Sequence, residues 1–369
     1  MTAIQPPFLP CYFSFRSDYT LPDGLAENHY LSWEDALWDI IDIYKIKKGS
    51  IVLIPTFWCM DVLKNIGEHG LKCEYYPMDG NFQTREDDLL QVIHKYHPAI
   101  VVIFHAVGIR NKLMTTNCNW IKKLSDHQFV IEDSVHSIID PREIIIKRDR
   151  HFVIDSWRKV MPLQGATIYG RKSEVSKFSH TRKSLSMYSF RIIWLWVTMQ
   201  WWLVLSSLKL PDYVSRLANL ETSTAKRAEK DMIDAYELMG DSKTACATLW
   251  PFVFLRRHIN ASYIKDTKRK QVAQYEDTLK PLWSDARYIQ IKISADDFSE
   301  LRGYPIGLVL SSADKLITTL RERGVYIRSE LEGSPWTQLR KVIYLPLGPY
   351  LGSNDIQEVC KELLQFKSV

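Results

Sequence analysis

The feature that most constrains this chain is a regular alternation, from about Leu31 to Gly170, of short apolar runs with segments of helical pattern. The runs at 51–54, 73–76, 100–104, 129–132, 152–155 and 167–169 are short and rich in β-branched and aromatic residues, which predicts strands. Between them, 32–44, 59–68, 86–95 and 119–124 read as helices. Ser32 is placed to cap the first helix, with Asp35 three residues on as the acidic member of a capping box, and Gly70 stops the second. Strands alternating with helices imply a largely parallel sheet covered on both faces. In such sheets ligands sit beyond the carboxyl ends of the strands. His105, Asp133, Ser134, His136 and Ser156 all fall at that edge.

The chain has 369 residues, 46% of them apolar, enough for a large core and for two or three structural units. Its net charge of +5 is spread along the chain, which does not point to nucleic acid. The short basic runs at 47–48, 256–257 and 268–270 read as solvated faces. Six cysteines lie far apart, with no CxxC pair and no Cys/His spacing suited to zinc, so no metal site is expected. The N-terminus shows no basic stretch followed by an apolar one, and a reducing, cytoplasmic setting is expected.

Residues 192–208 carry no charge and include four tryptophans, between Arg191 and Lys209. The run is near the lower limit for a membrane span. Tryptophan favours membrane interfaces. The reading is a helix covered by its own core, by a dimer mate or by lipid at the membrane surface, and not a span. From about Glu221 a polar, helical-looking stretch leads into strands at 288–293, 306–310 and 342–345 and helices at 313–323 and 353–364. The expected organisation is a large α/β domain over 1–220 and a small α+β domain over 221–369.

Two residues carry the chemistry. Asp133 follows the apolar strand Phe129, Val130, Ile131, and Lys159 lies 26 residues on, after a second strand, in DSWRKVMPLQGATIYG. Alone, the first reads as a turn residue and the second as a surface lysine. Together they match the needs of pyridoxal-phosphate chemistry, a lysine amine for the cofactor aldehyde and an acid that keeps the pyridine nitrogen protonated.

These motifs resemble the DegT/DnrJ sugar aminotransferases, PLP-dependent enzymes of fold type I. The resemblance runs over nearly the whole chain: KKGSIVLIPTFWC, GLKCEYYPMD, VVIFHAVG, FVIEDSVHS, SWRKVMPLQGATIYG, YPIGLVL and VIYLPLGPYLGSNDI keep the family's order and spacing. It implies that Lys159 is the Schiff-base lysine and general base, and that Asp133 pairs with the pyridine nitrogen. His136 falls near the 3-hydroxyl side of the ring, where the family usually has glutamine. Ser156 and Arg158 lie where the motif approaches the phosphate, and Phe57 or Trp58 would stack on the ring. His105 reads equally as a core histidine. The resemblance further implies a homodimer that moves an amino group, from glutamate, to a nucleotide-linked keto sugar in polysaccharide or secondary-metabolite synthesis.

The chain also departs from the pattern. The family's phosphate loop reads Ser-Gly-Thr or Ser-Gly-Arg before Ala-Leu, whereas here Ser32-Trp33-Glu34-Asp35 precedes Ala36-Leu37. Small residues and free N–H groups at a helix start welcome an anion. Trp33 removes the space, and Glu34 and Asp35 put negative charge there while satisfying the helix dipole themselves. The glycine pair after the lysine is reduced to Gly165-Ala166. Two other readings therefore stand beside the aminotransferase: another PLP reaction on the same scaffold, and a non-catalytic homologue serving as a partner or membrane-associated scaffold.

Overall fold

A computed structural model describes residues 12–14, 19–115, 118–178, 187–207, 230, 245–322, 325, 327–338 and 340–366. In chain order the larger sheet takes β1 (Leu25–Tyr30), β2 (Ile51–Pro55), β3 (Lys72–Tyr76), β4 (Ile100–Phe104), β5 (Phe129–Asp133), β6 (His151–Ile154) and β7 (Ala166–Arg171). The helices threaded between them are α1 (Trp33–Ile43), α2 (Met60–Glu68), α3 (Glu86–Tyr96), α4 (Lys112–Thr115) and α5 (Asn119–Lys122), and α6 (Lys172–Val175) follows β7. The strand order is β1-β7-β6-β5-β4-β2-β3. From β3 to β6 every pairing is parallel, as the alternating pattern requires, while β7 runs antiparallel to both its neighbours. β1 lies in a stretch with no clear apolar alternation and escapes sequence reasoning. Its place is set by register with β7, Leu25 opposite Arg171 and Tyr30 opposite Ala166.

Alternation within each strand sorts the core onto two faces. Ile54, Val102 and Ile131 pack on one side with α1, and Leu53, Val101, Ile103 and Val130 on the other with α3 and α5. The α1 start is the predicted cap: the Asp35 N–H donates to Ser32 Oγ at 3.2 Å. α3 opens on Glu86, Asp87 and Asp88 and closes on His94 and Lys95, each sign matching its end of the helix dipole.

Beyond this lie α7 (Met187–Ser207), α8 (Trp250–Arg257) and α9 (Ala261–Thr278), then a four-stranded sheet of order β10-β11-β9-β8. Its members are β8 (Tyr288–Ile289), β9 (Tyr304–Val309), β10 (Arg328–Ser329) and β11 (Arg340–Leu345), all antiparallel, with α10 (Leu310–Glu322) and α11 (Ser353–Leu364). The expected domain boundary at 220/221 and the polar stretch that follows it lie outside the described residues, apart from Lys230 and the part from 245 on.

Among the described side chains of α7, Ile193, Trp196 and Gln200 face the protein. The Trp196 indole N–H donates to the Pro162 carbonyl at 2.7 Å, and its ring meets Phe252 edge-on at 5.1 Å. Opposite, Phe190, Trp194, Val197 and Trp201 form an exposed stripe at i, i+4, i+7 and i+11, with Trp194 and Trp201 each 60% exposed. On α8, Trp250 and Phe254 are exposed as well. Among the described residues no helix is long and apolar enough to cross a membrane.

Candidate active site

The site lies where the carboxyl ends of β5 and β6 meet the start of α1. Asp133 is the last residue of β5, in register with Ile154 of β6 and Phe104 of β4. Its side chain is buried, and Oδ1 accepts the Val135 N–H at 3.1 Å. Burial pushes its pKa up to about 7, and Glu34 adds to the rise. The strongest opposing influence is the positive charge of Lys159. Among the described residues no ion pair holds this carboxyl, so a cation brought against it would be paired at once.

Lys159 ends a single 3₁₀ turn, Trp157–Lys159, directly after β6. The turn is fixed by Trp157, fully buried, whose indole N–H donates to Thr167 Oγ1 at 2.9 Å and whose backbone N–H donates to the Gly165 carbonyl at 2.8 Å. Gly165 has φ +141°, and a Cβ there would stand 2.5 Å from the Trp157 ring, so the surviving glycine of the motif is required by packing. The turn leaves Lys159 half-buried, its charge acting on Asp133, His136 and Glu330. Ser156 is buried at the start of the turn and Arg158 half-buried upon it.

His136 is fully buried and committed to a latch. Its Nδ1 accepts the Val107 N–H at 2.9 Å, which assigns the ring proton to Nε2. Nε2 faces the Glu330 carboxylate at 3.4 Å, and Arg302 donates to the same carboxylate at 2.6 Å. Burial holds the His136 pKa down at about 3, so the ring is neutral. Burial alone would raise Glu330, but Arg302 and His136 hold it far below the usual carboxylate range. The Val107 carbonyl accepts the Arg302 N–H at 2.9 Å. Val107 itself has φ +65°, a strained conformation for a β-branched residue, in the loop that docks the C-terminal part. Arg302 and Glu330 escaped sequence reasoning, since nothing in LRGYP or SELEG signals a shared partner 166 residues away from Arg302.

The aromatic alternatives separate. Phe57 is a core residue, 4.8 Å from Phe82 and 5.1 Å from Trp336 between ring centroids. Trp58 turns to the α1 start, meeting Trp33 at 5.6 Å and Phe104 at 5.4 Å, both edge-on. His105 points to the opposite face of the sheet, as alternation from Asp133's neighbour Phe104 requires. Its Nδ1 accepts the Asn111 N–H at 2.9 Å and its Nε2 meets Glu132 at 2.7 Å, so it is a satisfied structural histidine.

At the α1 start the Asp35 N–H is taken by Ser32 Oγ, and both oxygens of the Asp35 carboxyl accept hydrogen bonds. Ser32 Oγ donates to Asp35 Oδ2 at 2.7 Å, and Asp35 Oδ1 accepts the Cys246 N–H at 2.9 Å. Burial pushes the Asp35 pKa up to about 7 against these hydrogen bonds. Trp33 and Trp58 are buried, and among the described residues their indole nitrogens have no hydrogen-bond partner.

A scan against protein-family models and a search of curated proteins find no match to this chain. Solved structures do match. A DegT DnrJ EryC1 StrS aminotransferase from Brucella abortus has a TM-score of 0.55 at 12% identity, over 92% of this chain and 85% of its own. NtdA from Bacillus subtilis, with bound cofactor PMP, has a TM-score of 0.55 at 14% identity, over 92% of this chain and 72% of its own. The sugar aminotransferase CalS13 from Micromonospora echinospora has a TM-score of 0.52 at 13% identity, over 91% of this chain and 86% of its own. The fold of this chain is therefore that of the PLP-dependent aminotransferases, fold type I, with the strand order and small C-terminal sheet described above.

Measured against pyridoxal phosphate, the two ends of the site differ. The ring end fits, because the Asp133 carboxyl is buried, held in no ion pair among the described residues, and under the influence of the Lys159 charge. The phosphate end does not, because carboxyl groups and a tryptophan occupy the helix start that would offer free N–H groups.

Proposed function

We propose that this chain is an aminotransferase acting on a sugar-type substrate, with Lys159 and Asp133 as the pair that holds a pyridoxal-type cofactor. The observation that carries this is the buried Asp133, in no ion pair among the described residues and under the charge of Lys159, on the fold of the aminotransferases. Such a cofactor supplies an electron sink for the substrate carbanion. Asp133 would hold a proton on the ring nitrogen, and Lys159 would supply the amine that the aldehyde needs. Trp58 would wall the ring, and Ser156 and Arg158 line the turn beside it. The acceptor we propose is a nucleotide-linked keto sugar, with glutamate as amino donor and a homodimer as the working unit.

The test is chemical. Pyridoxal or pyridoxal phosphate, added to the full-length protein and reduced with borohydride, is expected to leave pyridoxyl mass on the peptide containing Lys159. Lys159→Ala should lose that label. Label on a different lysine would overturn the assignment. The occupied phosphate end favours a second reading, a chain that keeps this fold as a binding partner without turnover. A protein that takes no label from either aldehyde would support it.

We also infer that the stripe of Phe190, Trp194, Val197 and Trp201 meets the membrane surface. Arg191 is exposed beside it, and the sequence before α7 is basic at Arg171, Lys172, Lys177, Arg182 and Lys183. Aromatic and basic residues together suit the interface of an anionic bilayer.

A further inference from the structure

The first turn of α1 places two acidic residues, Glu34 and Asp35, where a phosphate would need donors. Asp35 is buried, and its two oxygens are taken by Ser32 Oγ and the Cys246 N–H. Glu34 is half-buried on the first turn of the same helix, and its negative charge raises the pKa of both Asp35 and Asp133. A phosphate monoester brings nearly two negative charges of its own. It would meet Glu34 across a partly desolvated space, where like charges repel more strongly than in water. What this end offers instead is different. Two buried indole N–H groups, of Trp33 and Trp58, whose rings meet at 5.6 Å, lack an acceptor among the described residues, and Glu34 lies next to Trp33 on the first turn of the helix. A hydroxyl satisfies both kinds of group, accepting from an indole and donating to a carboxylate.

We infer that this end of the site takes an uncharged hydroxyl in place of a phosphate, so that the chain holds the unphosphorylated B6 vitamer at least as tightly as the phosphorylated one. The inference deepens the proposed reading of Lys159 and Asp133 and rests on it. Arg158, half-buried on the adjoining turn, is the residue that would argue the other way, and the experiment weighs it against the two carboxyls.

Pyridoxamine and pyridoxamine phosphate serve as probes, because neither needs to react in order to bind. Each is titrated into the full chain while tryptophan fluorescence is followed, and the ratio of the two dissociation constants is read. The wild type is expected to bind pyridoxamine as tightly as its phosphate or more tightly. Glu34→Gln should move the ratio toward the phosphate, on the order of tenfold for one lost charge at short range, and Asp35→Asn should move it the same way by less, because the Asp35 carboxyl, with a pKa of about 7, carries only part of a charge near neutral pH. Circular dichroism checks that the variants fold, and Glu34→Gln, the less buried of the two, keeps the test alive if Asp35→Asn does not. A wild type that prefers the phosphate by tenfold or more overturns the inference and leaves the Lys159 reading standing. A ratio unchanged in both variants overturns it as well. If neither vitamer binds and Lys159 takes no label, the inference and the proposed function fall together.

Discussion

At the scale of single residues, buried carboxyls set how this protein responds to pH. Asp35 has a folded pKa of about 7, above that of an unfolded aspartate. The native state then binds a proton that the unfolded chain has released, so stability falls as pH rises from about 4 to about 7. Asp35→Asn removes that slope. The variant should gain on the wild type through this window, by roughly 4 kcal/mol at most, and the difference should level off above about pH 7. Urea midpoints at pH 5 and pH 8 measure it, and equal differences at both would contradict the assigned burial cost. Asp133 shares the raised pKa for the same reason but faces Lys159. Asp133→Asn is expected to fold, to keep borohydride labelling at Lys159, and to lose turnover by a hundredfold or more, as removal of one preorganised charge-stabilising group does. Activity near that of the wild type would remove Asp133 from the mechanism.

At the scale of elements, α7 is the part whose sequence and structure together raise a question of surroundings. Its inner edge is spent on Trp196 against Pro162 and Phe252, so its outer tryptophans are not core residues of one chain. Trp194→Ser combined with Trp201→Ser should leave the unfolding transition almost unmoved, since exposed side chains bury little on folding. The same variant should lose binding to vesicles rich in anionic lipid, followed by flotation. Wild-type protein that ignores such vesicles in low salt, yet doubles its mass through this face, would assign the stripe to a second copy. The predicted elements were accurate where period and length agreed, as for β4 and for α11, whose observed span matches the expected 353–364. β1 was not legible, because its sequence Leu-Ala-Glu-Asn-His-Tyr has no apolar face of its own and is held by pairing to β7.

At the scale of the whole molecule, one buried cluster joins the C-terminal part to the large sheet. Arg302 and Glu330 close on His136, and the strained Val107 is tied to both His136 and Arg302. Glu330→Gln removes the carboxylate that Arg302 and His136 share in a mostly buried place. A loss of about 3 to 5 kcal/mol is expected on breaking such a pair from one side. Thermal unfolding measures it, and a change under 1 kcal/mol would show that the cluster does not hold the two parts together. Assembly is a second property of this scale. A homodimer is expected by light scattering at micromolar concentration, and a monomer there would argue against a site completed by two subunits.

By itself the sequence determined the largely parallel sheet, and it is the source of the proposals for the edge at which a ligand would sit and for the joint role of Asp133 and Lys159. Those follow from local pattern: apolar period, cap residues, and the order of short motifs along the chain. It also showed a departure at the segment that resembles the family's phosphate loop, since Trp33, Glu34 and Asp35 are read directly. Only the tertiary structure decided how those residues are used. It turned Phe57 into the core and Trp58 toward Trp33, sent His105 to the far face, and gave Asp35 a partner in Cys246, 211 residues along the chain. It also drew His136 into a cluster with Arg302 and Glu330. The reason is physical: burial and charge partnership are set by which strands and loops meet in space, and a sequence lists the groups without stating which of them share a place from which water is excluded.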